Sequence, residues 1–291
     1  MIKRLLLLCL ITAFCSDLFS QRIELPEIGV VQSLEHDSLL HAQGYSYLVE
    51  STSRLLSPAQ VSEEQFKQRL GEIKNSQIPV FACNLFIPGD LKVVGPAVNE
   101  NAVLEYVKVV FQRAEAAGVK MIIWGSGGSR RIPDGFDHWK AKTQFISIAK
   151  KVADEARKHS IVLALENLNT TEVNFINSLA EGYDIAKAVD HPNFGLCADI
   201  YHMLKEDESP AIIVKAKSYV IYCEVAEEEE RTAPGIHGEN FKPYFEALKK
   251  IGYKGKIGIE CRWRNVAQEG APAYQYLKKQ LEEVYDTKGS R

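Results

Sequence analysis

The sequence predicts an α/β protein built as a single (β/α)8 barrel. Three observations lead there. Eight short runs are apolar, several of them on both faces, as parallel strands covered by helices should be. Segments with helical periodicity separate them, so strand and helix alternate along the chain. An open doubly wound sheet, the competing arrangement, would usually carry a glycine-rich turn after its first strand, and none follows residues 27–34.

In chain order the strands begin with "EIGVVQSL" (27–34), "YSYLVE" (45–50), "IPVFACNLF" (78–86) and "VKMIIWG" (119–125). "IVLALEN" (161–167), "FGLCADI" (194–200), "SYVIYCE" (218–224) and "KIGIECR" (256–262) complete them. The helices between are marked by stripes and caps. Ser62 with Gln65, and Ser178 with Glu181, have capping-box spacing. Val103, Val107, Val110, Phe111 and Ala114 share one helical face, and Phe145, Ala149, Val152 and Ala156 another. Phe241, Phe245 and Leu248 form a third stripe, which Gly252 stops.

A chain of 291 residues accommodates one such barrel, which typically needs about 250. The surplus includes the N-terminus. Lys3 and Arg4 precede an apolar run, Leu5–Phe14, followed by small and polar residues as far as Gln21. That is the layout of a secretory signal peptide, and the run is too short to span a bilayer comfortably. Residues 1–20 are therefore expected to be a leader and 21–291 the barrel. The mature protein is expected to be exported to the periplasm with no membrane span, and Cys15 offers lipid anchoring as the alternative. A net charge of -3 and the lack of a basic stripe argue against a nucleic-acid partner. Cys83, Cys197, Cys223 and Cys261 each sit in an apolar run and are expected as buried free thiols, although export permits disulfides.

Chemistry in this architecture sits at the C-terminal ends of the strands. Glu166 closes the fifth strand, Asp199 the sixth and Glu224 the seventh, and Glu260 lies near the end of the eighth. Strand alternation puts Glu166 on the face of Val162 and Ala164, Asp199 on that of Cys197, and Glu260 on that of Gly258, residues small enough for a barrel interior. Any one of these acids could equally be a helix cap or a surface ion-pair partner. Four on successive strands point to a shared site, and like charges so close need compensation. A divalent cation supplies it, and an all-oxygen shell favours Mn, Mg or a similar hard ion, with Zn or Co also within its range.

The remaining polar features are blander. The run Glu227–Glu230 reads as a solvated loop. The loop "WGSGGSRRIPDG" (124–135) could approach an anion with its backbone, yet barrels usually place phosphate after strands seven and eight, so a tight active-face loop is expected. Of the histidines, His36, His41, His138, His159 and His191 read as surface residues, while His237 in "PGIHGENF" is a candidate for lining the pocket.

Four motifs then carry a resemblance: "ALENLN" after strand five, "ADIYH" after strand six, "VAEEEERTAPG" after strand seven and "GYKGKIGIECRW" at strand eight. Over roughly residues 27–285 the chain resembles the xylose isomerase-like TIM barrels, in particular the sugar isomerase/epimerase branch that includes ketose 3-epimerases. The resemblance implies a metal held by Glu166, Asp199 and Glu260, with the family's fourth ligand, a histidine, falling on Glu224. Four acids would then face the ion where the family has three, which strengthens hard-ion binding and weakens polarisation of a substrate oxygen. It also implies that His202 contacts substrate beside the metal and that Arg231 binds a substrate oxygen.

The activity so implied is metal-dependent isomerisation or epimerisation of a carbohydrate through an enediolate, with Glu166 and Glu260 as base and acid on opposite sides of the carbon. Trp124 and Trp263 are expected either to stack on the sugar or to belong to the core. Three other readings remain: an exported sugar-binding protein on a degenerate isomerase barrel, a lyase or hydratase of oxidised sugars, and a phosphodiesterase like the family's abasic-site endonucleases. The last would use a histidine-rich zinc cluster and a basic surface, which the 7 histidines and the acidic balance do not support. A homo-oligomer is left open.

Overall fold

The structure, a computed structural model, describes residues 25–285. Eight parallel strands close on themselves in chain order, β1 through β8, with β8 pairing back to β1. They are Glu27–Val31, Leu48–Ser51, Val80–Asn84, Met121–Trp124, Val162–Glu166, Phe194–Asp199, Val220–Val225 and Lys256–Ile259. The predicted barrel is therefore the observed one, with shorter strands.

The trimming has local causes. Strand β1 ends early because Ser33 caps a 3-10 turn, Leu34–His36, accepting the Glu35 N–H. Helix α1 (Asp37–Ala42) follows, then α2 (Thr52–Leu55) and α3 (Glu63–Lys74). Ser62 and Gln65 close the predicted capping box in both directions at α3. Helix α4 (Glu100–Ala116) buries the predicted stripe Val103, Val107, Val110, Phe111 and Ala114. A short turn of helix, α5 (Gly127–Arg130), precedes α6 (His138–Lys158), which buries Phe145, Ala149, Val152 and Ala156. Burying each large side chain of these stripes is worth about 1.5–3 kcal/mol, enough to hold each helix to the sheet.

In the second half, Ser178 accepts the Glu181 N–H at the start of α7 (Leu179–Val189). The Glu181 carboxylate returns to the Asn177 N–H instead of the Ser178 N–H, so this capping box is only half closed. Helices α8 (Ile200–Lys205) and α9 (Ala211–Lys215) separate β6 from β7; α10 (Lys242–Lys250) precedes β8, and α11 (Val266–Tyr285) ends the described chain. The predicted stop, Gly252, takes φ 69°. Among the described residues no helix is long and apolar enough to cross a membrane. Cys83, Cys197, Cys223 and Cys261 are free thiols, the first three buried. The expected leader, with Cys15, lies outside the described residues.

Two cores result. The larger lies between sheet and helices, and the smaller plugs the barrel with Tyr47, Val49, Ala82, Met121, Ile123, Ala164, Cys197 and Tyr222. The Tyr47 and Tyr222 hydroxyls meet at 3.2 Å inside this plug. It forms a dry floor.

Candidate active site and metal centre

Above that floor the strand ends converge. Glu166 ends β5, Asp199 ends β6, Glu224 is the fifth residue of β7, and Glu260 follows β8 by one position. Ladder register sets Asp199 opposite Glu224, and Glu224 opposite Gly258. Oxygens of all four carboxylates lie within 4.8 Å of one another, and Glu166, Asp199 and His202 form a second, overlapping group. Gly258 makes room for this, since a Cβ there would stand 2.3 Å from the Tyr222 hydroxyl and 3.5 Å from Glu224 Cγ.

Each acid is held differently. Asp199 is also the N-cap of α8: its Oδ1 accepts the His202 N–H at 3.1 Å, and Asn167 brackets its backbone from both sides. Glu224 has no exposed surface, and among the described residues its carboxylate accepts one side-chain hydrogen bond, from the Cys197 thiol 3.5 Å from Oε2. Glu260 accepts Asn84 Nδ2 at 2.8 Å on Oε1 and Arg231 Nη2 at 2.5 Å on Oε2. Arg231 lies over the Tyr201 ring at 4.6 Å and reaches Glu172 at 3.4 Å. Its left-handed backbone, φ 55°, is fixed where its carbonyl accepts the Arg262 N–H at 2.7 Å. His202 Nδ1 accepts the Asn169 N–H at 3.0 Å, so the ring presents Nε2 to Glu166 Oε1 at 3.5 Å.

Crowding shows in the ionisation. Burial pushes Glu224 well up, and Glu260, Glu166 and Asp199 push it further. Burial also raises Glu260, to about 7, against the pull of Arg231. His202 is lowered by burial, but Asp199 and Glu166 outweigh that and hold it above its ordinary value.

These residues fit a divalent cation. Asp199 Oδ2 and Glu224 Oε1 are buried without a hydrogen-bond partner, a costly arrangement that an ion would relieve. The donors are oxygens of carboxylates on rigid strand ends, as hard ions prefer.

Residues 39–283 match the family described as xylose isomerase-like TIM barrel. The chain belongs to that family. Within it, the chain is 27% identical over 152 residues to a probable ketose 3-epimerase of Synechocystis sp., covering 47% of this chain and 53% of that protein. It is 29% identical over 137 residues to an L-ribulose 3-epimerase of Methylomonas sp., covering 42% and 48%. These matches span about half the length of each relative. In shape, it superposes on the D-allulose 3-epimerase of Methylomonas sp. in complex with D-allulose with a TM-score of 0.73 at 21% identity, covering 88% of this chain and 98% of that one.

The remaining expectations divide. His202 and Arg231 stand against the acids. Two other candidates do not. Trp124 is fully buried on the outer side of β4, among Phe86, Phe145 and Phe194, because Ile123 and Gly125 occupy the inner face. It is a core residue, not a sugar platform. His237 pairs with the exposed Glu229 at 3.2 Å and lines an outer depression of about 580 Å³ with Lys205, Glu228, Glu230 and Glu239. The cause is Glu227, which has no exposed surface and so corrects the reading of a solvated acidic run. Its carboxylate gathers the N–H groups of Gly235, His237, Gly238 and Glu239 and the Thr232 hydroxyl, folding the loop on itself. Asn84 and Gly125 are the site residues that sequence reasoning missed.

Proposed function

We propose that this protein is a divalent-metal-dependent epimerase or isomerase of a carbohydrate. The observation that carries this is the convergence of Glu166, Asp199, Glu224 and Glu260 within 4.8 Å, with an arginine on one catalytic acid and a histidine on the other. The likeness to ketose 3-epimerases supports it.

Moving a stereocentre beside a carbonyl means removing a weakly acidic C–H proton and returning it on the opposite face. Glu166 takes the proton, the C–H electron pair moves toward the carbonyl oxygen, and Glu260 delivers a proton from the other side. The raised pKa of Glu260, about 7, suits a group that must give and take a proton near neutrality. Arg231, drawn off Glu260, meets the negative charge that develops on oxygen, and His202 Nε2 donates to an adjacent hydroxyl. A divalent ion, for which Mn or Mg suits the oxygen donors, would be held by the four carboxylates and would polarise the carbonyl. The dry floor of Tyr47 and Tyr222 keeps water from reaching the site from below. Export to the periplasm belongs to the same reading, supported by the leader pattern of residues 1–20.

Solvent-deuterium exchange tests the function. With Mn present, the protein should place deuterium at one carbon of a free sugar, and Glu166→Gln should abolish this while its melting temperature stays close to wild type. A sugar that binds without exchange points to a binding protein instead.

A further inference from the structure

Arg130, in the glycine-rich loop after β4, has no exposed surface, yet among the described residues its partners are main-chain carbonyls and it forms no ion pair with a carboxylate. Its guanidinium donates to main-chain carbonyls, Nη1 to Trp124 at 3.2 Å and Nη2 to Ile176 at 3.5 Å, and its Nε has no partner. Burial lowers its pKa to about 10, so it stays charged at neutral pH, and Glu166 is the carboxylate that acts on it most strongly. An unpaired buried charge costs several kcal/mol. A neutral amide could hold a carbonyl without that cost, so bracing alone does not account for an arginine here.

The first of these carbonyls borders the acid cluster. Trp124 ends β4, and the next residue, Gly125, abuts Glu166. Ile176 is β-branched with φ 62°, a strained position, and its carbonyl also accepts the Leu168 N–H at 3.1 Å. The segment between carries Asn169, which fixes His202, and Glu172, which faces Arg231. The two loops are laced further by Ile132 and Asn174, whose paired hydrogen bonds are both 2.9 Å.

We propose that Arg130 is a positioning residue of the acid cluster, bolting β4 to the loop after β5 while its unpaired charge offsets part of the negative charge of the four carboxylates. The site then holds a divalent ion less tightly than the carboxylates alone would, leaving more of the ion's charge to act on substrate. This rests on the metal-dependent reading given above.

Calorimetric titration with Mn2+, without substrate, tests it on wild type, Arg130→Lys, Arg130→Gln and Arg130→Met, each checked for folding by circular dichroism. Removing the charge should tighten Mn2+ binding by about tenfold in the Gln and Met variants, a modest share of the unscreened Coulomb energy. The Lys variant, still charged, should bind like wild type. A purely structural bolt predicts the opposite sign, since a loosened Gly125 and Glu166 would weaken binding. Equal or weaker Mn2+ binding in the neutral variants overturns the proposal, as does failure of both to fold. Because the titration needs no turnover, a sugar panel without activity would undo the functional reading and leave this result intact.

Discussion

Gly125 and Glu166 occupy the same space: a Cβ on Gly125 would stand 2.2 Å from Glu166 Oε2. The atom in the way is the tip of a flexible side chain, so an added methyl displaces the carboxylate and leaves the backbone alone.

Gly125→Ala should therefore cost little stability and most of the activity. Its melting temperature should stay within a few degrees of wild type, while turnover falls by about 10²-fold, the loss typical of a misplaced catalytic group. A fully active alanine variant would mean that Glu166 has freedom to act from elsewhere.

Glu224 should be a metal ligand, since it is fully buried with Oε1 unpartnered. Glu224→His removes one negative charge and should shift ion preference from Mg toward softer ions such as Zn or Co, with a working site. Glu224→Ala removes an anchor and should weaken every ion. Metal titrations of the three proteins decide the matter, and equal affinities would make Glu224 a bystander.

Chelation should make stability depend on pH with a definite sign. Glu224, Glu260 and His202 all bind protons more tightly in the fold than their ordinary values imply. The folded chain therefore carries extra protons between the ordinary carboxyl value of 4.5 and about 7, and stability falls as pH rises through that window. Melting curves of metal-free protein should show the highest transition near about pH 5 and a decline toward about pH 8. Added Mn2+ should flatten the trend and bind more tightly as pH rises, because it displaces those protons. A metal-free melting temperature that climbs with pH would contradict the assignment.

Glu227→Ala should be among the most damaging single changes outside the acid cluster. Four backbone N–H groups and a hydroxyl lose their acceptor together, worth about 3–5 kcal/mol. Limited proteolysis should then cut between residues 228 and 239, where wild type resists. A variant as stable and as resistant as wild type would show that the loop is held by something else.

The fold was legible because parallel strands buried on both faces leave short, apolar, β-branched runs whose spacing repeats. The acids were legible through alternation, which places a side chain on a face without any knowledge of its neighbours. Alternation also contained the answer for Trp124, whose flanking Ile123 and Gly125 claim the interior, but an aromatic beside a glycine-rich loop suggests a sugar platform. Glu227 could not be told from Glu228, Glu229 and Glu230, because composition does not say which member of a charged run turns inward. Asn84 and Gly125 were invisible for a related reason: one matters for a single hydrogen bond across the barrel, the other for an atom it lacks.

All four carboxylates come from strands β5 to β8, within residues 166–260, while β3 and β4 bring Asn84 and Gly125 to the same mouth. The four carboxylates, with His202 and Arg231 beside them, are thus all encoded in the second half of the chain, and the first half supplies supports. Insertions or substitutions in the loops after β1 and β2, which hold neither a ligand nor Asn84, Gly125 or Arg130, can change the barrel mouth without replacing any of them, so substrate preference can drift between descendants of this scaffold while the electrostatic engine is inherited unchanged.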